Sequence, residues 1–391
     1  MRGLATALAV ILVACSAPRV EVTPTPSPTH EPGTTVVTVF LDLSGARAPS
    51  GVAQRNAMQL WLDQAQTRGG PQRLRVKFVD LAGSDARLLV ELRRAAVDDG
   101  ADTIVIAAPF AYDATFARAI ELARLPVMLT LPAPDPASLP GGTWAFALAP
   151  TYRDVARAVV ADATQRGVLQ PTLLASDESP PAIAERLALA SELEQRGLIP
   201  PTVVTVSAQD AAGRLRAGAS FARSALFTGP GATYVDATRS LAAAGITPRV
   251  YLSYLMEAGD ASTLREGADL ATWPGSRNLA AVSTAPTTAE RTAFLQTFAA
   301  RHGAPSTLAA TAYDALAMID AAAEAVSGTP DRARLRDRLE ATTFAGITTR
   351  YTFTAARHAG FDNADLVLLR WSTGARVGFA LAPEVAPKEE R

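Results

Sequence analysis

The sequence predicts an α/β protein of two lobes, each with a parallel sheet covered by helices. Three observations lead to this fold class. Short apolar runs alternate with amphipathic segments, which is the pattern of repeated βα units. The alternation restarts near Tyr152, so two successive βα series are present. About 350 residues follow the first 35, which is more than one hydrophobic core usually supports.

The first βα series occupies the chain before Tyr152. Its continuously apolar run at 102–108 is typical of a strand whose two faces are both covered. Ser50 and Ser84 precede amphipathic segments and are predicted helix N-caps, while Gly69-Gly70 is a predicted helix stop. We predict strands at 36–43, 74–81, 102–108 and 127–131, and helices at 51–67, 85–98 and 114–123.

The second series begins at Tyr152 and has the same rhythm. Helices are predicted over 152–166, 181–196 and 234–244, and strands at 172–176, near Val203, near Ala225 and at 249–254. Further along, residues 330–341 mix acidic and basic side chains around Leu335 and Leu339. The four-residue spacing of these leucines predicts an amphipathic surface helix, so its basic residues need no nucleic-acid partner.

The first 14 residues have the layout of a secretory signal. Arg2 supplies a positive charge, and residues 4–14 form an apolar run too short to span a bilayer comfortably. The sequence Leu12-Val13-Ala14-Cys15 resembles the bacterial lipoprotein box. This resemblance implies cleavage before Cys15 and lipid attached to it, and several acyl chains anchor a protein stably to a membrane. An ordinary signal peptide with an incidental cysteine is the alternative.

The segment 15–35 is predicted to be a disordered tether. It is rich in proline, threonine and serine and lacks the apolar residues that would offset the entropy of ordering. Residues 381–391 are predicted to be a flexible tail. No other stretch of the sequence approaches a membrane span. The signal layout and the resemblance to the lipoprotein box imply an extracytoplasmic domain held at a membrane by lipid. With 19% charged residues and a net charge of −1, the chain has no electrostatic attraction for nucleic acid.

Short motifs through the folded region occur in a consistent order. They are Leu43-Ser44-Gly45 followed by Gly51, Asp80 at a strand end, Ala242–Gly245, Thr311–Ala315 around Tyr313, Phe344–Thr348, Tyr351–Phe353 and Gly360. Their order and spacing resemble the type I periplasmic binding proteins of the branched-chain amino-acid (leucine/isoleucine/valine) branch, which serve ABC importers. The similarity covers roughly residues 36–377.

The resemblance implies two doubly wound, Rossmann-like lobes joined by a three-strand hinge, with a ligand clamped between them. It assigns 36–150 and 281–345 to lobe 1, and 151–280 and 346–380 to lobe 2. It also implies a monomer that carries a small-molecule ligand to an ABC transporter permease without a cofactor. Such a carrier closes because the ligand has a higher affinity for the closed form.

Candidate ligand residues follow from the rule that open α/β sheets bind ligands at the carboxyl ends of their strands. The candidates are Ser44, Phe110, Tyr112, Asp113, Thr130, Ala133, Tyr152, Gly229, Gly231, Tyr254 and Glu257. The aromatic members could line an apolar pocket, and each could equally be ordinary core packing. The carboxylates are expected to accept hydrogen bonds at a lobe edge or to be solvated.

The amino-acid clamp of the family is largely missing from this sequence. In amino-acid-binding relatives, a run of serines and threonines and an Ala-x-Thr in the next loop hold the ligand's carboxylate and ammonium. Here Phe110-Ala-Tyr112 stands in the first of these loops. In the second, Pro132 and Pro134 have no N–H to donate. We therefore expect a ligand other than a free α-amino acid, with an apolar or aromatic body.

An enzyme is the least favoured function class. His30, His302 and His358 lack the spacing of a metal or catalytic site. The turn Gly229-Pro230-Gly231 lacks the third glycine of a dinucleotide-binding loop, and the sequence has neither a nucleophile elbow nor a P-loop. The favoured function is a lipid-anchored solute-binding protein for an ABC importer. The alternative is a ligand sensor, or a lipoprotein activator of a cell-wall synthase, with the same fold.

Overall fold

A computed structural model describes most of the folded region. The described residues are 33–68, 73–170, 172–176, 178–198, 203–205, 213, 217, 222–229, 243, 245, 249–258, 271–280, 288–326, 331–371 and 379–381. The signal segment, Cys15, most of the tether, most of the 234–244 helix, Gly231 and nearly all of the tail lie outside them. Among the described residues, no helix combines the length and apolar composition needed to cross a membrane.

Lobe 1 begins with alternating strands and helices. In chain order these are β1 (Thr35–Leu41), α1 (Ala48–Thr67), β2 (Leu74–Asp80), α2 (Asp85–Val97), β3 (Thr103–Ile106), α3 (Ala114–Ala123), β4 (Val127–Leu129) and β5 (Ala145–Ala147). The five strands form a parallel sheet in the order β2-β1-β3-β4-β5. Every residue of β1, β3, β4 and β5 is buried, which explains why apolar residues predominate in these strands.

Lobe 2 repeats this plan. Its elements are α4 (Tyr152–Gln165), β6 (Thr172–Ser176), α5 (Pro180–Gln195), β7 (Val203–Thr205), β8 (Ser224–Thr228), β9 (Arg249–Tyr251) and β10 (Ala271–Ser276). The strands pair in parallel in the order β7-β6-β8-β9-β10. Counted within each lobe, both sheets therefore have the order 2-1-3-4-5.

The rest of the chain returns to both lobes. It contains α6 (Ala289–His302), α7 (Thr307–Ala325), α8 (Arg332–Glu340), β11 (Thr343–Ala345), β12 (Arg350–Thr352), β13 (Leu366–Trp371) and β14 (Phe379–Leu381). Helices α6, α7 and α8 pack with α1 on one face of the lobe-1 sheet, and α2 and α3 cover the other face. Strand β13 pairs antiparallel with β10, and β14 with β13, so both extend the lobe-2 sheet. The predicted fold class of two doubly wound α/β lobes is confirmed.

Hydrogen bonds tie together the segments that pass between the lobes. Ala147, at the end of β5, forms a parallel bridge with Ala359. In this bridge the Ala147 amide donates to the carbonyl of His358 (2.8 Å) and the Gly360 amide donates to the carbonyl of Ala147 (2.9 Å). The segment after β10 is joined to the loop before β12, because Ser276 and Asn278 both donate to the Thr348 carbonyl.

Local sequence signals located several elements correctly. Helix α3 and strand β6 have the predicted bounds, and Ser84 caps α2 by accepting from the Arg87 amide (3.3 Å). The prediction for Ser50 is wrong, because α1 begins at Ala48 with Arg47 as N-cap and Pro49 in its first turn. Strands β5 and β10 were not predicted.

Helix α8 confirms the amphipathic helix predicted around Leu335 and Leu339, both of which are buried. Arg332 differs from the expectation of a solvated face. Its guanidinium donates to the carbonyls of Ala96 (2.8 Å), Ala101 (3.0 Å) and Ala123 (3.2 Å). Burial lowers the pKa of Arg332, and the nearby Asp102 carboxylate opposes that shift. Arg332 therefore joins α8 to the ends of α2 and α3.

Candidate functional site

One buried apolar cluster joins the carboxyl edges of the two lobes. This cleft cluster consists of Leu131, Ala149, Tyr152, Val155, Tyr254, Leu255 and Leu308. Leu131 follows β4 of lobe 1, and Leu308 lies in α7. Tyr152 opens α4 and Tyr254 follows β9, so both tyrosines come from lobe 2. Side chains of both lobes therefore meet where the rule for open α/β sheets expects a ligand.

The tyrosines of the cleft cluster are held firmly. Tyr152 is 7% exposed and Tyr254 is 1% exposed. A capping box fixes the start of α4, since Thr151 and Asp154 each accept a hydrogen bond from the other's backbone amide. Burial raises the pKa of the Tyr152 hydroxyl, and the Glu185 carboxylate raises it further. Tyr152 is thus a neutral ring that offers an apolar face and a polar tip.

Three aromatic rings pack together in the loop after β3 and the start of α3. Phe110 lies 4.9 Å from Phe116 and 6.3 Å from Tyr112, measured between ring centroids, and Tyr112 lies 5.8 Å from Phe116. Ala133 belongs to the same buried cluster. Burial raises the pKa of Tyr112, as do the nearby carboxylates of Asp113 and Asp135. Among the described residues, the buried Tyr112 hydroxyl has no hydrogen-bond partner.

The Thr130 hydroxyl is used inside lobe 1. Thr130 is fully buried, and its hydroxyl lies within hydrogen-bonding distance of the Gln54 amide oxygen (3.3 Å) and the Ile106 carbonyl (3.2 Å). Gln54, on α1, is 1% exposed and donates from its amide nitrogen to the Ala107 carbonyl (3.0 Å). Gln54 therefore bridges the loops that follow β3 and β4.

Ser44 hydrogen-bonds within lobe 1, in the loop after β1. Its side chain is exposed and hydrogen-bonds to Asp80, whose carboxylate also accepts from the amides of Leu43 and Ala82 (both 2.8 Å). Partial burial raises the pKa of Asp80, but these hydrogen bonds outweigh it and leave the pKa below its usual value. Asp80 thus joins the loops after β1 and β2.

In lobe 2 a buried carboxylate joins two cleft loops. Glu185 on α5 is 2% exposed, and its Oε2 accepts from the Gly229 amide (3.0 Å) and the Ser253 hydroxyl (2.6 Å). The Ser253 oxygen in turn accepts from the Leu255 amide (2.9 Å). This chain of hydrogen bonds fixes the backbone on both sides of Tyr254.

A second buried carboxylate accepts hydrogen bonds from the segment between the lobes. Asp314, on α7, accepts from the amides of Ile347 (2.6 Å) and Thr348 (2.8 Å) and from the Tyr351 hydroxyl (3.0 Å). Burial raises the pKa of Asp314 to about 6, although the hydrogen bonds oppose this shift. Within the described ranges, no three or more His, Cys, Asp and Glu side chains are grouped so that they could hold a metal ion.

Comparison with known proteins identifies the family. A sequence model described as periplasmic binding protein matches residues 34–375. The chain belongs to the periplasmic binding protein family. No protein of curated function matches its sequence.

Solved structures similar to this periplasmic binding protein include ligand receptors and transporter components. An extracellular ligand-binding receptor from Rhodopseudomonas palustris HaA2 is 14% identical, with a TM-score of 0.74 over 90% of this chain and 100% of that one. LivJ from Streptococcus pneumoniae, a branched-chain amino acid transporter substrate-binding protein in complex with isoleucine, is 17% identical, with a TM-score of 0.67 over 89% and 99%. An ABC transporter solute-binding protein from R. palustris in complex with benzoate is 16% identical, with a TM-score of 0.71 over 92% and 100%. At these identities the likeness concerns the fold.

The structure of this binding protein brings some of the candidate ligand residues together and separates others. Tyr152 and Tyr254 meet in the cleft cluster, while Phe110, Tyr112 and Ala133 share the lobe-1 aromatic cluster. Thr130 and Ser44 make hydrogen bonds within lobe 1.

Asp113 and Gly229 make local contacts within their own lobes. Asp113 is the N-cap of α3, where it accepts from the Phe116 amide (2.8 Å). Gly229 donates to Glu185, and Gly231 lies outside the described residues. Glu257 lies in the short 3-10 helix Tyr254–Ala258, in which only its backbone position is described.

The sequence did not reveal Gln54 or Glu185. Each is a buried polar residue on the inner face of a helix, among buried neighbours such as Ala57 in α1 and Leu189 in α5. A polar residue at an otherwise apolar helical position was the available signal. The partners lie more than 40 residues away, so periodicity alone could not identify them.

Proposed function

We propose that this protein is an extracytoplasmic, lipid-anchored solute-binding protein that carries a small organic ligand with an apolar or aromatic body to an ABC importer. The cleft cluster carries the proposal, because tyrosines and leucines of both lobes meet at the facing sheet edges. A ligand that contacts both sets of side chains favours the closed arrangement of the lobes.

The chemistry of the lobe-1 loops disfavours a free α-amino acid. The Thr130 hydroxyl is taken up within lobe 1, and Pro132 and Pro134 have no N–H for a carboxylate. Losing two charge-assisted hydrogen bonds, at about 1.5–3 kcal/mol each, lowers affinity by roughly a hundredfold or more. The aromatic rings at this edge suit an aromatic ligand instead, and a solved structure of the same fold is described with benzoate.

Calorimetry on the purified mature protein tests the ligand class. Benzamide and other uncharged aromatic compounds should bind more tightly than leucine, isoleucine or valine. Micromolar or tighter binding of leucine would contradict the proposal. Stabilisation by a protein partner and by no small molecule would instead favour the function of a lipoprotein activator of a cell-wall synthase.

Two buried tyrosines provide a matched test of the cleft. Tyr254→Ala should abolish most aromatic-ligand binding, because Tyr254 lies in the cleft cluster. Tyr251→Ala is the control, because Tyr251 is equally buried (1% exposed) but packs in the core of lobe 2. Ligand affinity, measured at a temperature where both variants remain folded, separates loss of the site from loss of stability.

The membrane anchor is a separate part of the proposal and rests on the sequence around Cys15. Metabolic labelling with a fatty-acid analogue in a bacterial host should tag the wild-type chain. Cys15→Ser should remove the label and release the protein from the membrane fraction. Persistent labelling of Cys15→Ser would show that the lipid is attached elsewhere.

A further inference from the structure

Each lobe has one buried polar side chain that bridges two loops at its cleft edge. In lobe 1, Gln54 joins Ala107 to Thr130. In lobe 2, Glu185 joins Gly229 to Ser253. Both bridging residues are at most 2% exposed, so solvent does not compete for these hydrogen bonds.

The two bridges occupy equivalent places in the repeated βα frame. Helix α1 follows β1, the first strand of lobe 1, as α5 follows β6 in lobe 2. Ala107 and Gly229 are the first residues after the third strands, β3 and β8. Thr130 and Ser253 lie just after the fourth strands, β4 and β9. The same contact is therefore built twice with different residues.

We infer that Gln54 and Glu185 are positioning residues, each of which holds two loops of its lobe in place for the ligand. The inference rests on the proposed function. In lobe 2 the effect reaches the cleft through Ser253, which accepts from the Leu255 amide and so fixes Tyr254 between two anchored residues. In lobe 1, Gln54 sets the loop that carries Leu131 of the cleft cluster.

The two bridges need different chemistry. The lobe-1 bridge contacts Ala107 at its backbone carbonyl oxygen, so the residue at position 54 must donate a hydrogen bond. The lobe-2 bridge contacts Gly229 at its backbone N–H, so the residue at position 185 must accept a hydrogen bond. A side-chain amide can do both, whereas an ionised carboxylate can only accept. Glutamine should therefore function at both positions, and glutamate only at position 185.

Four single variants test this asymmetry: Glu185→Gln, Glu185→Ala, Gln54→Glu and Gln54→Ala. In the ligand-free protein, Glu185→Ala should raise the hydrogen-exchange rates of the Gly229 and Leu255 amides about tenfold or more (~1.4 kcal/mol). Glu185→Gln should keep both rates within about threefold of wild type. Gln54→Glu should raise the hydrogen-exchange rates of the 130–133 loop of lobe 1 as much as Gln54→Ala does.

Binding of benzamide, an uncharged aromatic probe, gives the functional measurement on the same proteins. Glu185→Ala should weaken it about tenfold, and Glu185→Gln should restore it. Glu192→Ala is the matched control, because Glu192 is a buried glutamate on the same helix that pairs with Arg196 (3.0 Å). That control should leave exchange at Gly229 and Leu255 unchanged.

Three results would overturn the inference. One is a rise in amide exchange and a loss of ligand affinity in Glu185→Gln as large as in Glu185→Ala, since the charge would then matter more than the bridge. Another is unchanged exchange at both amides in Glu185→Ala. The third is Gln54→Glu matching wild type. If benzamide and other uncharged aromatic compounds fail to bind the wild-type protein, the proposed ligand class fails, while the exchange measurements still decide the positioning roles.

Discussion

Lobe 1 and lobe 2 wind their parallel strands in the same order, yet their cleft edges differ in chemistry. Lobe 1 presents an aromatic cluster, prolines and a neutral bridge through Gln54. Lobe 2 presents Tyr152 and Tyr254 above a bridge through the carboxylate of Glu185. The comparison shows that the repeated strand order determines which loops are bridged in each lobe. The bridging residue itself differs between the two lobes.

The first difference concerns how closely each helix approaches its sheet. Gly51 lies one turn before Gln54, and a Cβ added at Gly51 would overlap the carbonyl oxygen of Asp42 at the end of β1. In lobe 2 the residue one turn before Glu185 is Ala182, which is fully buried. The lobe-1 helix therefore needs a glycine where the lobe-2 helix accepts a methyl group.

The largest predicted effect follows from this close approach. Gly51→Ala should lower the free energy of unfolding by at least about 3 kcal/mol, because α1 must move away from β1. The movement should also detach Gln54 from its partners. Denaturant unfolding measures the loss, and Ala182→Gly is the control, with a cost of about 1 kcal/mol from helix propensity. Equal costs at the two positions would mean that the helices approach their sheets alike.

The second prediction concerns the loop between the lobes that contains Thr348. Lobe 2 holds this loop through donors to the Thr348 carbonyl, whereas α7 of lobe 1 holds it through the buried Asp314. The pKa of Asp314 is raised to about 6, so the folded chain binds this proton more tightly than the unfolded chain does. Its contribution to stability is therefore complete below about pH 4 and is lost as the pH rises through about 6.

This contribution amounts to about 2–3 kcal/mol across that pH range. The measurement is the free energy of unfolding between pH 4 and pH 7, for wild type and for Asp314→Asn. The variant has no titrating group at this position, so its stability relative to wild type should improve as the pH rises. A constant difference between the two proteins across the range would contradict the raised pKa.

The sequence predicted the repeated βα alternation better than it predicted the individual short strands. The Ser84 cap was predicted because it contacts a residue three positions away, which local patterns encode well. Asp113 caps α3 in the same way, although its place after a strand had assigned it to the ligand. Strand β10 has the sequence ATWPGS. Pro274 and Gly275 have low strand propensity, so a pattern based on propensity does not predict this strand. Its pairing with β13, almost 100 residues later, makes these residues part of a sheet.

The site was harder to predict than the fold for a related reason. A position after a strand identifies which loops face the cleft, and Tyr152 and Tyr254 do meet there. It does not say which way a side chain points, so the inward-facing hydroxyl of Thr130 was assigned to the ligand. Gln54 and Glu185 lie on helices, and their partners are set by how closely each helix packs on its sheet.

The third prediction tests a support that lobe 1 receives from the returning chain. Arg332 donates to three backbone carbonyls at the ends of lobe-1 elements, so Arg332→Ala should cost about 2 kcal/mol of stability. Arg338→Ala, on an exposed position of the same helix, should change stability by less than about 0.5 kcal/mol. Hydrogen exchange should rise in α2 and α3 and stay constant in α4 and α5. A uniform rise would indicate that the two lobes unfold as one unit.

The smallest predicted effect has opposite signs in the two lobes. Among the described residues the buried Tyr112 hydroxyl has no partner, so Tyr112→Phe should stabilise the ligand-free protein by about 1 kcal/mol. In lobe 2 the Tyr251 hydroxyl donates to Asp162 (2.7 Å), and Tyr251→Phe should cost about 1 kcal/mol. The same substitution then separates a paired hydroxyl from an unpaired one, and thermal unfolding of the two variants measures the difference. A loss of stability in Tyr112→Phe would mean that its hydroxyl is satisfied in solution. A gain, combined with weaker benzamide binding, would mean that lobe 1 maintains an unfavourable hydroxyl because the ligand uses it.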